Sequence, residues 1–181
     1  MNKDKNLVWI DLEMTGLDPR KDVIIEIATI ITDSQLNELE LGPHLIINQP
    51  SDILAKMNSE VIQMHTKSGL IDAVKKSIVT VQQAEKQTLK FIKKYCSPQT
   101  GLLCGNSVWQ DRNFLFYYMP SIVDYLYYRI IDVTAVKEVV ARWYPRNLNS
   151  EFQKKDTHRA LEDIRESIAE LKHFRQHFFV R

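Results

Sequence analysis

Cysteine is scarce in this chain. Only Cys96 and Cys104 occur, with neither CxxC nor zinc-ligand spacing, which argues against a disulfide framework and a thiolate metal site and makes reduced, partly buried thiols the expectation. No apolar stretch is long enough to span a bilayer. The start, Met-Asn-Lys-Asp-Lys-Asn, is charged and leads into a short apolar run rather than a signal peptide, so a cytoplasmic home is expected. An excess of either charge is also lacking: 24 Lys plus Arg face 23 Asp plus Glu, for a formal net charge of +1. Nothing global draws the protein to nucleic acid, and an anionic substrate must be held by local groups. Five glycines and six prolines in 181 residues rule out a low-complexity chain. That length suits one domain, 1–181, with a sizeable core. No internal repeat of fixed period points to a solenoid.

What is present begins with Leu7-Val8-Trp9-Ile10, an apolar run that enters Asp11-Leu12-Glu13 and reads as a central strand buried on both faces. Val23 to Thr32 reads as a second central strand and Leu45-Ile46-Ile47 as a third, so the early strands form an antiparallel meander. Ser51 to Lys76 fits short helices and loops. Thr80 with Gln83 forms a capping-box pattern ahead of an amphipathic helix that lasts until Pro98. Gly101 to Gly105 is a short strand, Trp109 to Met119 a helix stopped by Pro120, and Tyr128 to Asp132 a fifth strand. Asp132 is expected to cap a helix from Val133 to Tyr144, and Asp156 or Thr157 to cap a last helix through Phe178 with Leu161, Ile164, Ile168 and Leu171 as its core stripe. The class is α/β: a mixed sheet of five strands flanked by helices. The aromatic-rich segment Phe114 to Tyr128 serves equally well as interface or as core.

Side chains alternate along a strand, so Asp11 and Glu13 project from one face while Leu12 points to the other. Two carboxylates at the end of a central strand repel each other, and an all-oxygen site calls for a hard cation such as Mg²⁺ or Mn²⁺. The plain alternative is a strand that has ended, leaving both acids in solvent. Two later acids have the same double reading. Asp111, near a helix start, either joins such a site or simply favours the helix dipole. Asp163 is either a site residue or a solvated acid; it lies beside the small residues Ala160 and Ser167, which would let its helix approach the sheet. His158, five residues before Asp163, does not share its helical face. From just outside the helix start its ring can lean toward the same site and accept a proton from water. Otherwise it is an exposed helix-end residue.

Asp11-x-Glu13, Asp111 and His158-x-x-x-x-Asp163, in this order and spacing, resemble the DEDDh exonucleases. The flanking runs Trp9 to Asp18, Ile25-Glu-Ile-Ala28, Gly105-Asn-Ser107, Tyr128-Arg129 and the His-Arg-Ala-Leu-Glu-Asp-Ile-Arg-Glu-Ser of the last helix are similar to the branch of that family that acts on very short RNA. The resemblance covers almost the whole chain. It implies a ribonuclease H-like sheet and 3′-to-5′ removal of nucleoside 5′-monophosphates, with dinucleotides preferred. Asp11, Glu13, Asp111 and Asp163 would hold two Mg²⁺ or Mn²⁺ ions, and His158 would be the general base. Leu17 matches the apolar residue that wedges against bases. Ser107 and, from a partner subunit, Tyr128, Arg129 and Thr134 match groups around the substrate's far end and its 5′ phosphate, so a homodimer with a shared site is implied. One position departs from the pattern: Glu60 falls at or next to a base-stacking Trp, leaving Met57, Met64 or His65 to take its place, or weaker stacking. Two other functions stay in competition, an exonuclease of the same superfamily on longer RNA or single-stranded DNA, and a noncatalytic oligonucleotide-binding dimer.

Overall fold

A computed structural model describes residues 3–147, 151–153 and 159–179. Its centre is β1 (Leu7–Met14), flanked on one side by antiparallel β2 (Ile24–Thr32) and then antiparallel β3 (Glu38–Ile46). On the other side lie β4 (Leu102–Gly105) and β5 (Tyr127–Asp132), both parallel, giving the order β3-β2-β1-β4-β5. This is the mixed five-stranded sheet that the sequence implies. β2 is buried at every position, which is why it reads as a near-continuous apolar run instead of an alternating one. β3 starts at Glu38, well before Leu45, because it is an edge strand: Glu38 and Glu40 stay exposed, and Pro43 is tolerated where no neighbour needs its missing N–H. Gly42 is needed there, since a Cβ would sit 2.4 Å from the Phe91 ring.

The helices are α1 (Ser51–Leu54), α2 (Ser59–Lys67), α3 (Leu70–Lys76), α4 (Val81–Tyr95), α5 (Val108–Tyr118), α6 (Pro120–Tyr125), α7 (Val133–Trp143) and α8 (Ala160–Phe178). Thr80 and Gln83 form the expected capping box on α4, and Asp132 caps α7 by accepting the Thr134 N–H. Pro120 does more than stop α5. It occupies the first turn of α6, where its fixed φ suits a helix start and no amide donor is missed. α8 begins at Ala160 behind an extended Arg159 (φ −134°) that supplies no side-chain cap. That start lies beyond the one that capping by Asp156 or Thr157 implies; both residues are outside the described ones.

Alternation along β1 divides the core. Val8, Ile10 and Leu12 pack with Ile92, Phe114 and Leu115 beneath α4 to α6, while Trp9 joins Ala28, Ile30, Val133, Ile164 and Phe174 beneath α7 and α8. Trp9 is fully buried and still satisfies its indole, donating to Thr32 Oγ1 at 3.0 Å. The expected α8 stripe is present, with Ile164 and Ile168 buried and Leu161 and Leu171 half-buried at its flanks; Phe174 completes it. A third cluster, Ile25, Leu54, Met57, Leu70 and Val74, fastens α1 to α3 to the sheet. The segment Phe114 to Tyr128 serves both readings at once, since Phe114, Met119 and Ile122 are core while Phe116, Tyr117 and Tyr128 are exposed. Both cysteines are buried and free. Among the described residues no helix is long and apolar enough to cross a membrane.

Candidate active site

The strand parity that buries Trp9 against α8 also aims Asp11 and Glu13 at α8. Register is irregular between Glu13 and Met14, a bulge of the kind that redirects a side chain next to a site. α8 comes close because Ala160 and Ser167, on the helix face beside Asp163, are small and buried. Carboxylate oxygens of Asp11, Glu13 and Asp163 consequently lie within 4.8 Å of one another. Burial, and then the charges of Asp111, Glu13 and Asp163, push the Asp11 carboxyl well above the usual carboxylate range. Burial, followed by Asp163, Glu26 and Asp111, raises Glu13 to about 8. A desolvated all-oxygen donor set carrying this much mutual repulsion fits a hard divalent cation, which would replace the missing countercharge.

Asp111 enters from the first turn of α5 and is also buried. β4 pairs with β1 only as far as Trp9, so the Leu12 N–H has no strand partner on that side, and Asp111 Oδ1 accepts it at 3.0 Å. Burial raises the Asp111 carboxyl to about 8 despite that bond. The four acids singled out in the sequence therefore divide: three have carboxylate oxygens within 4.8 Å of one another, and Asp111, whose charge acts on Asp11, has one oxygen held by the backbone. His158 lies outside the described residues.

Sequence reasoning missed four groups around this cluster. Glu26 on β2 is the direct cross-strand partner of Glu13 and is fully buried. Opposed like charges destabilise a strand pair, and here the two carboxyls behave in opposite ways. Burial disfavours the Glu26 carboxylate, but hydrogen bonds from His44 and Arg159 outweigh it and leave this carboxyl below its ordinary value. His44 Nε2 lies 2.5 Å and Arg159 Nη2 2.9 Å from Glu26 Oε1. The available signal was a glutamate in the middle of a strand otherwise buried on both faces, which is rare without a partner. His65, from α2, is the fourth. Its Nε2 is 2.9 Å from the Met14 carbonyl, which can only accept, so Nε2 carries the hydrogen and Nδ1 faces Glu13 Oε2 at 3.9 Å. His44 and His65 have no sequence spacing that ties them to the acids; only the fold brings them there.

The expected substrate groups fall into two places. Leu17 is 73% exposed at the tip of a loop that is itself pinned, by Gln110 Nε2 to the Leu17 carbonyl at 2.5 Å and by Tyr118 OH to the Asp22 carbonyl at 2.7 Å. Gly16 allows that loop to close, because a Cβ would meet the Asp22 carboxylate at 2.5 Å. Ser107, the N-cap of α5, has a φ of 47°, an uncommon conformation for a side-chain-bearing residue. Asp132 Oδ1 and Thr134 Oγ1 hold its N–H at 3.0 and 2.9 Å. Thr134 is thus engaged with Ser107 of its own chain, and through Asn106 it connects to Ser167 on α8. Tyr128 and Arg129 are exposed on β5 and contact each other, with Arg129 Nε donating to Tyr128 OH at 2.9 Å. Of the residues offered in place of the stacking Trp, Met57 and His65 are buried and present no face to a base, while Met64 is half-buried; Glu60 is exposed on α2.

A five-stranded mixed sheet of this order, with acids gathered at the end of its central strand and on its last helix, is a ribonuclease H-like α/β fold, and the chain is of the exonuclease class. The RNase_T exonuclease family matches residues 8–171. Exonuclease I superposes with a TM-score of 0.70 at 16% identity, covering 95% of this chain, and exonuclease I from Methylocaldum szegediense with 0.66 at 19%, covering 96%. This chain spans 41% of each of those longer chains, and at such identity the likeness is one of fold. Sequence relatives are nearer: it is 55% identical to the oligoribonuclease of Pasteurella multocida over 98% of this chain and 97% of that one. The oligoribonucleases of Haemophilus ducreyi and Pseudomonas aeruginosa are 53% and 51% identical, each over 98% of both chains. The chain belongs to the oligoribonuclease family.

Proposed function

We propose that this protein is a 3′-to-5′ exoribonuclease that degrades very short RNA, dinucleotides above all, and that residues 1–181 form one exonuclease domain. The observation that carries this reading is the convergence of the Asp11, Glu13 and Asp163 carboxylates, within 4.8 Å, at the end of β1. Together with Asp111 they would hold two divalent ions, Mg²⁺ or Mn²⁺. Such ions lower the pKa of an attacking water and neutralise the phosphodiester. The chain's own residues supply the rest. Asp111, fixed by the Leu12 amide, keeps the ends of β1 and α5 in register. His158 would take the proton as water attacks phosphorus, the bond from phosphorus to the 3′ oxygen breaks, and a nucleoside 5′-monophosphate leaves. Leu17 offers a fixed apolar surface to a base, and the pinned loop beneath it spares the cost of ordering that surface on binding.

A length limit follows from closing the far end of the site. Ser107 lies on one side of it. Tyr128 and Arg129 of a partner subunit would close it, the planar guanidinium suiting a 5′ phosphate. A homodimer is supported by exposed aromatics that suit an interface: Trp109, Phe116, Tyr117, Tyr128 and Trp143 are all more than half exposed. Light scattering at micromolar concentration should give the mass of two chains, and a one-chain mass refutes the shared site. A cytoplasmic location completes the reading.

The function is tested by incubating the protein with a 5′-labelled dinucleotide and Mg²⁺. Labelled monophosphate should form and should be lost in Asp11→Ala. Absence of product, or full activity in that variant, refutes the reading. Faster cleavage of long RNA or single-stranded DNA than of dinucleotides would assign the site to longer substrates instead.

A further inference from the structure

Glu26 is a fully buried carboxylate placed directly across from Glu13, and it is tied to the start of the helix that delivers Asp163. Arg159 donates to Glu26 Oε1 through both Nε, at 3.2 Å, and Nη2, at 2.9 Å. The Ala160 amide, first in α8, lies 3.4 Å from Glu26 Oε2. One residue thus receives the side chain before α8 and the first amide of α8 itself. The carbonyl of that same Arg159 accepts the Asp163 N–H at 3.0 Å, the hydrogen bond that closes the first turn. His44 on the edge strand meets the same Glu26 oxygen, Oε1, at 2.5 Å. The chain therefore runs without interruption from the middle of β2 to the backbone of Asp163, and Arg159 is bonded covalently to His158.

We propose that Glu26 and Arg159 form a positioning clamp, which sets where α8 enters the site and so brings the Asp163 carboxylate to Asp11 and Glu13. The inference rests on the reading of these three acids as holders of a divalent ion. The physical argument is one of entry angle. Arg159, the residue before α8, makes no side-chain cap, so the cap position itself does not fix where the helix starts. Contacts to the sheet do this among the described residues: Glu26 accepts the Arg159 guanidinium on Oε1 and faces the Ala160 amide with Oε2. A carboxylate placed on a helix one turn away follows any rotation of that start. Groups that orient ligands from behind them typically alter metal affinity or turnover about 10–100-fold when removed.

Placement and plain charge predict different outcomes, which makes the clamp testable. Mn²⁺ binding is followed by the loss of the free-ion electron paramagnetic resonance signal, and dinucleotide hydrolysis is measured on the same folded samples well below their melting temperatures. If the clamp places Asp163, Glu26→Gln and Arg159→Gln both weaken Mn²⁺ binding about 10-fold or more. Both should lower kcat with KM held within about threefold, and the double variant should be little worse than either single one. If charge alone matters, the signs oppose: removing the anion weakens Mn²⁺ binding and removing the cation strengthens it. Arg159→Lys separates the two again, even if Glu26→Gln does not fold. It keeps the charge and loses the fork, so a clamp makes it resemble Arg159→Gln, whereas a charge effect makes it resemble wild type. Opposite signs, a wild-type-like Arg159→Lys, a rise in KM alone, or a lower melting temperature with Mn²⁺ binding and kcat intact each overturn the clamp. Wild-type protein that neither binds Mn²⁺ nor cleaves dinucleotides overturns the underlying reading of the acids as well.

Discussion

Glu13 is held in a folded environment that opposes its own ionisation, and replacing it should make the metal-free protein more stable. Its carboxyl rises from an ordinary 4.5 to about 8, first through burial and then through Asp163, Glu26 and Asp111. Below pH 4.5 both the folded and unfolded chains carry the proton. Between 4.5 and about 8 the unfolded chain has lost it and the folded chain keeps it, so stability falls as pH rises across this window. Above about 8 both states are ionised and the full penalty stands. Such a rise corresponds to a penalty of about 5 kcal/mol, part of it shared with the neighbouring acids. Glu13→Gln keeps the shape and removes the charge, so at pH 9 in EDTA it should gain about 2–4 kcal/mol.

The assay is urea unfolding followed by tryptophan fluorescence, with and without saturating Mn²⁺. In EDTA the gain should shrink to under about 1 kcal/mol at pH 5, where the wild-type folded protein is already neutral at this position. With Mn²⁺ the order should reverse, because only wild type retains the full donor set and binding stabilises the folded state by mass action. A variant less stable than wild type at pH 9 in EDTA, or a gain of equal size at pH 5, would refute the account of a site whose acids wait for a cation.

Phe174→Ala, in the core beneath α8, should cost about 3–5 kcal/mol in urea unfolding. Thr80→Ala breaks the capping box on α4 and should cost about 1 kcal/mol in the same measurement, with dinucleotide hydrolysis unchanged. Leu17→Ala should raise KM for dinucleotides about 10-fold with kcat nearly intact, since the lost contact is a binding one worth about 1.4 kcal/mol. Gln110→Ala frees the loop beneath Leu17 and should reproduce part of that KM effect; an unchanged KM in both variants would remove Leu17 from the substrate site.

Much of the fold was legible because its signals are local. The apolar runs of β1 and β2 report burial on both faces, and the capping box of α4 and the cap at Asp132 are read within a few residues. What was not legible depends on position in the sheet and on contacts distant in sequence. β3 extends back to Glu38 with no apolar run to announce it, as an edge strand can, and the first amide of α8 meets Glu26, more than a hundred residues away in sequence. For the site, the order of Asp11, Glu13, Asp111 and Asp163 marked the acids through a family resemblance. Charge states were not legible. Glu13 and Glu26 are the same residue on paired strands, yet one is pushed up and the other down, because Arg159 and His44 hydrogen-bond to the second, whereas on the first Arg159 acts through its charge and does not offset the burial.

The sequence by itself determined the strands apart from the extent of β3, most helices, the family and the list of acids, since periodicity, caps and motif order are written along the chain. Tertiary structure alone decided that three of those acids converge while Asp111 answers a backbone amide beyond the end of β4. It also decided that His65 and Glu26 surround Glu13, and that Thr134 spends its hydroxyl on its own Ser107. These are contacts between residues distant in sequence, set by where strands end and how closely a helix can approach, and no local pattern encodes them.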